Sequence, residues 1–569
     1  MSTFTTRHTS VLAAMFAHAE RGGTTSRITV LPDLATPVDL DYAGLADAVC
    51  RVAAAMAEHG VQQGDRVLLS LPTGAEFLTV FFGAQLLGAV PVAVATAGGF
   101  GGMKAFGDRF GLLLRYLQPS AVVASAQLTA RLRGSIAGRP TIDGAKLLEH
   151  ALTEPGPTAP MRMPNSADPA FIQCTSGSTG TPKGVVISQA NLAANCEQIA
   201  RVTGWTCDDV WVGWLPSYHD MGLILGLCMP LFAGGGTVLF PPTRFVRTPA
   251  EWLRHASTYR ATMTGGPNFA FGLAADKIRD DQLDGVDLTA LRLAFCGSET
   301  VHAATVQRFV DRFARWGMPA DAVVPAYGMA EAGLAITSAP RRAPVAFDSI
   351  SRSAAGRHGE ARDVDPADPD AIAVTDCGHA MPATEVRIVD DEGVPVGDDI
   401  LGQVQFRGPS RTAGYFELPD ATAAALADDG WWNTGDLGYL RAGGLRITGR
   451  IKDLIVIRGV KYFPADFELA IESVSGVRPG GAVAVGHRGA DHDSETLHLI
   501  VETDVEASEH ERLCKHIRAA VGARTGVHAA EIRLVPTHSV PKTTSGKVRR
   551  SAAHQLFMSP RQQADRHGM

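Results

Sequence analysis

A chain of 569 residues with 45% hydrophobic and 20% charged residues has ordinary globular composition and is long enough for at least two domains. Its net charge of -7, with no dense Lys/Arg block, excludes the electrostatic footprint of a nucleic-acid or anionic-membrane binder. The eight cysteines form neither a C-x-x-C pair nor a Cys/His cluster at zinc spacing, which argues against a disulfide scaffold or metal ribbon and for reduced thiols in a cytoplasm; MSTFTTRHTS at the start lacks the apolar core of a signal peptide.

In chain order, amphipathic segments of helical length at 42–59, 75–87 and 248–259 alternate with apolar, β-branched runs at 66–71 (RVLLSL), 90–94 (VPVAV), 121–124, 237–240 and 294–296. That alternation predicts α/β layers whose strands are buried on both faces. The stretch 95–106 (ATAGGFGGMKAF) is glycine-rich and reads either as a flexible loop or as the shaped entrance of a pocket. Residues 221–243 carry no charge, but three consecutive glycines and three prolines predict a buried helix, a turn and a buried strand rather than stable membrane insertion.

From about 341 to 369 the chain turns polar and proline-rich, and it reads as an insertion departing from a compact domain. Short strand-like runs follow (EVRIVD, GQVQFRG, LRITGR), and after about Lys452 a βαβ-like pattern resumes. The expected fold is therefore α/β. Residues 1–450 form a large N-terminal domain of layered α/β subdomains, with the polar insertion at about 341–369 and a β-rich subdomain at about 376–450. Residues 451–569 form a small, mobile C-terminal α+β domain.

Four stretches carry chemistry. Residues 175–184 read TSGSTGTPKG, a Gly/Ser/Thr loop closed by Lys183; two residues separate Gly180 from that lysine, so it is not the Walker phosphate loop. Alone, such a run is more often a solvent-exposed connector. AYGMAE (326–331) offers an aromatic and a carboxylate, NTGDL (433–437) an aspartate in a turn, and PKTTSGKVRR (541–550) Lys547 on a Ser-Gly turn. Each has a plain alternative: Glu331 as a helix-dipole partner, Asp436 closing an Asx-turn, and the basic tail as a solvated face.

In order, TSGSTGTPKG, YGMAE, TGD, GRIKD and PKTTSGK resemble the signature series of the adenylate-forming superfamily, which comprises acyl-CoA synthetases, peptide-synthetase adenylation domains and luciferases. The resemblance runs from about residue 40 to 556. Its chemistry is coherent with these residue types, because activating a carboxylate with ATP brings two anions together. Backbone N–H groups, hydroxyls, Mg²⁺ and a positioned lysine offset that repulsion.

The resemblance implies ATP and Mg²⁺ as cofactors and assigns roles residue by residue. Ser176, Gly177, Ser178, Thr179, Gly180 and Lys183 would hold the β- and γ-phosphates, Thr175 would join them in binding the nucleotide, and Glu331 would bind Mg²⁺. Where the family often has threonine before that glutamate, Ala330 stands here. Gly297, Ser298 and Glu299 with Tyr327 would sandwich the adenine, and Ala326, Gly328 and Met329 beside Tyr327 would also contact the nucleotide. Asp436 would accept from the ribose hydroxyls, Arg450 would assist at ribose and phosphate, and Lys547 would bridge substrate carboxylate and α-phosphate. Lys452 falls at the family's interdomain hinge, which lets one site run two half-reactions in turn.

Amino-acid-activating members place an aspartate after the aromatic of the motif that here reads 216–222 (PSYHDMG); His219 at that position disfavours an α-amino acid. LPSYHDMGLILG, FCGSETV (295–301) and GRIKDLIVIRGVKYFPADFE (449–468) resemble the fatty acyl-AMP ligases, and 341–369 lies where that subfamily carries an insertion associated with blocking the domain arrangement that CoA requires. The implied partners are a fatty or related carboxylic acid and the phosphopantetheine thiol of a holo acyl carrier protein. Trp214, His219, Met221, Gly222, Gly265 and Met329 are the acyl-pocket candidates, though apolar and glycine residues serve equally as core. Two other readings stay open: an acyl-CoA synthetase, and a catalytically silent binder of acyl-adenylate or nucleotide.

Overall fold

The computed structural model describes the chain apart from residues 1–3, 23–25, 34–35, 97–101, 133, 135, 137, 154–161, 176–181, 489–493, 544–547 and 559–569, and apart from the side chains of 102–105, 428 and 556–558. Its described residues fall into two compact units. The first comprises 1–345, 377–386 and 406–432; the second comprises 346–376, 387–405 and 433–569.

The first unit is layered α/β, as the alternation of patterns predicts. Parallel strands Leu293–Gly297, Met263–Pro267, Val210–Gly213, Gly236–Leu239 and Ile28–Val30 run through a nine-stranded sheet, joined at one side by Val323–Gly328 and closed by antiparallel strands. Leu293–Gly297, Met263–Pro267 and Gly236–Leu239 are buried along their whole length, which is why they read as continuous apolar runs. A second, parallel sheet has the order Val90–Ala93, Arg66–Ser70, Ala121–Ala124, Thr141–Asp143.

Local chemistry sets the element ends. The helix Tyr42–Glu58 starts where the Asp41 carboxylate accepts from the Gly44 N–H at 2.7 Å. The helix Gln189–Thr203 begins directly after a strand, in a capping box of Ser188 and Asn191, and ends at Gly204 in the left-handed region (φ 64°). The uncharged stretch 221–243 resolves into helix Asp220–Leu223, a π-helical turn Ile224–Cys228, helix Met229–Ala233, a turn at Gly234 (φ 80°) and strand Gly236–Leu239. Among the described residues no helix is long and apolar enough to cross a membrane.

The second unit takes in more of the chain than 451–569: residues 387–405 and 433–450, expected in the β-rich subdomain of the large domain, belong to it, and so does the polar insertion from 346 on. Strands Phe347–Ser351 and Ala371–Thr375 pair antiparallel, with Ser351 opposite Ala371 and Phe347 opposite Thr375. Helix Arg352–His358 starts at a Ser351 cap and stops at Gly359 (φ 68°). Ile350, Ala355, Ala361, Ile372 and Val374 bury themselves against Tyr439 and Phe463, so this segment shares a core with residues far along the chain. A Cβ on Gly356 would stand 2.5 Å from the Lys461 carbonyl oxygen, which measures how closely the inserted helix lies on strand Val460–Tyr462.

The βαβ pattern read after Lys452 is the parallel pair Thr496–Glu502 and Glu531–Val535, crossed over by helix His510–Thr525. Strand Ala482–His487 adds antiparallel at the edge. Phe467, Ile471, Leu499, Val501, Ile517 and Val521 form the core beneath.

Candidate active site

In the first unit, strands Pro169–Thr175 and Lys183–Ser188 pair with Thr175 opposite Lys183, so the loop of the TSGSTGTPKG motif leaves and returns on one rung. Ser176, Gly177, Ser178, Thr179 and Gly180 lie outside the described residues. The Thr175 hydroxyl donates to the Lys183 carbonyl at 3.4 Å. The Lys183 Nζ lies over the Tyr415 ring, 4.5 Å from its centroid, and the Tyr415 hydroxyl donates to Glu331 Oε1 at 2.7 Å.

Two features deliver Tyr415 to that position. The strand Gly414–Tyr415 adds to the free edge of Lys183–Ser188, with Tyr415 opposite Val185. Two residues earlier, the Thr412 N–H donates to the Glu331 carbonyl at 2.7 Å, and the Thr412 hydroxyl donates to the Val186 carbonyl at 2.5 Å. Glycine is required at 414, where a Cβ would come 2.6 Å from Thr422 Cγ2; Thr422 Oγ1 accepts from the Tyr415 N–H at 3.0 Å.

Burial first, and the Glu331 charge beside it, raise the Tyr415 phenol well above its ordinary pKa, so it stays protonated and acts as a donor. A hydrogen bond to a charged group contributes about 1.5–3 kcal/mol. The cation over the ring adds about 0.5–2 kcal/mol.

Glu331 itself sits in a short helical turn, Ala330–Ala332, just after strand Val323–Gly328, and is 7% exposed. Met329 leads into that turn in extended backbone. Tyr327 lies opposite Thr337, and Gly328 lies so close to the Leu334 carbonyl oxygen that a Cβ has no room. Gly328→Ala is expected to cost about 1–3 kcal/mol by overpacking, read as a lower urea midpoint at unchanged slope. An unchanged midpoint would show that the turn carrying Glu331 has slack.

The carboxyl ends of parallel strands are where open α/β sheets bind ligands, and several of the residues read from sequence gather there. Gly297 closes strand Leu293–Gly297, where a Cβ would come 2.7 Å from the Ala326 carbonyl oxygen; Ser298 follows at φ 70°. Glu299 accepts from the Phe269 N–H at 2.7 Å, at the start of helix Asn268–Lys277, so it anchors a helix terminus. Trp214 follows strand Val210–Gly213 and stacks on Phe245 with centroids 3.9 Å apart.

Gly222 and Gly265 have backbone reasons to be glycine: a Cβ would strike the Pro216 carbonyl oxygen in one case and come 2.8 Å from that of Phe295 in the other. Met221 is buried, and His219 Nδ1 lies 2.6 Å from Asp220 Oδ1.

In the second unit, Asp436 and Arg450 face each other across antiparallel strands, with Arg450 Nε 3.1 Å from Asp436 Oδ1. Asp436 lies within strand Trp432–Arg441 and not in the turn expected from NTGDL; Gly435 takes φ 74° inside that strand, and the Thr434 hydroxyl accepts from the Asp436 N–H at 3.0 Å. Lys452 lies in the short helical turn Ile451–Asp453 immediately after Arg450. Lys547 lies outside the described residues; the helix Arg550–Met558 begins just beyond it, and Arg550 is held by Glu468 Oε2 at 2.5 Å.

Among the described residues no three or more His, Cys, Asp or Glu side chains group to hold a metal ion. Glu331 by itself suits Mg²⁺, which takes one or two carboxylates and completes its shell with phosphate oxygens and water. Tyr415 is the residue that sequence reasoning missed. GYF has no charge and no motif spacing, and only the strand pairing to 183–188 reveals its place.

Residues 19–416 match the family of AMP-binding enzymes. The long-chain-fatty-acid–AMP ligase FadD26 of Mycobacterium marinum is 34% identical over 565 residues, covering 92% of this chain and 93% of the relative. A solved fatty acyl-adenylate ligase, from work on the E. coli and L. pneumophila enzymes, superposes with a TM-score of 0.89 at 27% identity over 100% of both chains. The L. pneumophila fatty acyl-adenylate ligase in complex with acyl adenylate and pyrophosphate superposes with a TM-score of 0.73 at 25% identity, covering 97% of each chain.

Proposed function

Because the chain belongs to the AMP-binding, adenylate-forming enzymes, with fatty acyl-AMP ligases among its relatives, we propose that it activates a fatty or related carboxylic acid with ATP and passes the acyl group to a carrier-protein thiol. The observation that carries this reading is the meeting of Lys183 and Glu331 on Tyr415 at the foot of the Gly/Ser/Thr loop. A cation and a metal-binding carboxylate are the two groups that leaving pyrophosphate needs.

In the first half-reaction a carboxylate oxygen of the acid attacks the α-phosphorus, the bond to the pyrophosphate oxygen breaks, and pyrophosphate carries the charge away. Lys183 and the loop hydroxyls hold the β- and γ-phosphates. Glu331 would hold Mg²⁺, which would supply charge neutralisation at the phosphates. Asp436 accepts from the ribose hydroxyls, Arg450 orients that carboxylate and assists at the ribose, and Lys547 stands at the α-phosphate.

In the second half-reaction the phosphopantetheine thiol attacks the acyl carbonyl and AMP leaves. No side chain of this protein has to become acylated, because the mixed anhydride is already activated.

A carrier protein rather than CoA as acceptor is supported by the inserted segment 341–369. Its helix lies on strand Val460–Tyr462, and the Arg352 side chain donates to the Arg524 carbonyl at 2.6 Å, so the insertion from 346 on belongs to the same compact unit as the C-terminal segment. Mass spectrometry of reactions containing ATP and a panel of acids, with CoA or a holo carrier protein supplied separately, tests the assignment. Acyl-carrier protein is the expected main product; acyl-CoA as the main product would overturn the acceptor. Absence of acyl-AMP with every acid would leave a nucleotide-binding protein.

A further inference from the structure

We infer that Tyr415 is a positioning residue for acyl-AMP formation: its ring seats the Lys183 ammonium and its hydroxyl orients the Glu331 carboxylate, so one side chain sets both the phosphate clamp and the metal ligand. The inference rests on reading Lys183 and Glu331 in those roles. Its geometry is the 4.5 Å approach of Nζ to the ring centroid and the 2.7 Å hydrogen bond to Oε1.

The two interactions need different parts of the side chain. The ring face attracts the ammonium through its quadrupole, and the edge hydroxyl supplies the donor. A carboxylate that accepts such a bond turns in a fixed plane and presents its remaining oxygen lone pairs in a set direction, as the outer partners of metal ligands generally do.

The surroundings hold Tyr415 rigidly enough for that task. Its backbone is fixed by strand pairing to Val185 and by the bond to Thr422, and its ring meets Trp432 edge-on at 5.5 Å. The Thr412 N–H bond to the Glu331 carbonyl ties the backbone of the metal ligand to the same segment. Lys183 and Glu331 are far apart in sequence and belong to different strands and turns; the 412–415 segment contacts both.

Tyr415→Phe removes the hydroxyl and keeps the ring, whereas Tyr415→Leu removes both. Binding of α,β-methylene-ATP, which cannot turn over, is measured by calorimetry with and without Mg²⁺ for both variants, for Glu331→Gln and for the Tyr415→Phe/Glu331→Gln double variant. Tyr415→Phe should weaken Mg²⁺-dependent nucleotide binding about tenfold, the lower end for losing the outer partner of a metal ligand. Its metal-free binding should be unchanged. Tyr415→Leu should in addition weaken metal-free binding about fivefold through loss of the cation–π contact. In the Glu331→Gln background, Tyr415→Phe should add nothing.

An equal loss with and without Mg²⁺ in Tyr415→Phe, or an undiminished loss in the double variant, overturns the inference. If Glu331→Gln reduces the Mg²⁺ dependence while Tyr415→Phe does not, the metal-ligand reading stands and the Tyr415 inference alone falls. If Glu331→Gln leaves the Mg²⁺ dependence intact, the metal-ligand reading fails first and takes the Tyr415 inference with it.

Discussion

Lys547→Ala is expected to slow acyl-AMP formation by about 10²–10³-fold, the usual loss when one charge-stabilising donor is removed from a transition state. Transfer of the acyl group from preformed acyl-AMP to a thiol should continue at the wild-type rate. The reason is where charge develops. In adenylation, negative charge gathers around the α-phosphorus while the acid's own charge approaches it, so a cation there acts mainly in the transition state. Thioester formation starts from a less charged anhydride and expels AMP. Pyrophosphate release and acyl transfer, followed separately, distinguish the two half-reactions. An equal fall in both would remove Lys547 from the adenylating arrangement and, with it, the idea that the C-terminal segment alternates between two positions.

Arg352→Met should destabilise the protein by about 3–5 kcal/mol, the cost of breaking a buried ion pair by removing one partner. Arg352 and Asp466 are both buried, and Nε lies 3.5 Å from Oδ2, a charge contact rather than a hydrogen bond. Burial pushes the Asp466 carboxyl up to about 6 from an ordinary value of 3.8, with the Arg352 charge opposing that rise.

The sign follows from linkage. A carboxyl that holds its proton more tightly when folded contributes stability that is complete below pH 3.8 and is lost as the pH rises through about 6. Without Arg352 the group takes up its proton at still higher pH. The deficit of Arg352→Met in urea denaturation should therefore be large at pH 8 and shrink towards pH 5. A deficit independent of pH would mean that the side chain stabilises through its bonds to the Arg524, Pro369 and Ala371 carbonyls and not through Asp466.

Much of the first unit was legible because its elements obey simple periods. Helices expected at 42–59, 75–87 and 248–259 are found at Tyr42–Glu58, Ala75–Leu86 and Ala250–Thr258, and the strand at 121–124 has the expected ends. Continuous apolar runs read correctly as strands covered on both faces. Asp436 and Arg450 were singled out for their chemistry, and the register of one hairpin makes them partners.

The rest was hidden for identifiable reasons. In 341–369 few residues are apolar, so periodicity is weak, yet Ile350 and Ala355 are buried because Tyr439 and Phe463 arrive from elsewhere to cover them. Arg352, read as part of a polar excursion, is 5% exposed. Gly222 and Gly265, candidates for the acyl pocket, each also meet a neighbouring carbonyl oxygen that leaves no room for a Cβ, a constraint with no signature in the sequence. Tyr415 carries no charge in its motif, and its place comes from a two-residue strand too short to announce itself.

The pairing of strands Phe347–Ser351 and Ala371–Thr375 also bears on how such a protein changes over time. Since Ser351 and Ala371 pair on one rung of the ladder, the chain enters and leaves the intervening residues at adjacent points. Lengthening the exposed run 365–369 costs little in closure entropy and leaves the flanking register unchanged, whereas helix Arg352–His358 is tied to the core through Ala355 and to Asp466 through Arg352. Length can therefore vary at the exposed tip of this segment, while its strands and helix stay bound to the core they share with Tyr439 and Phe463.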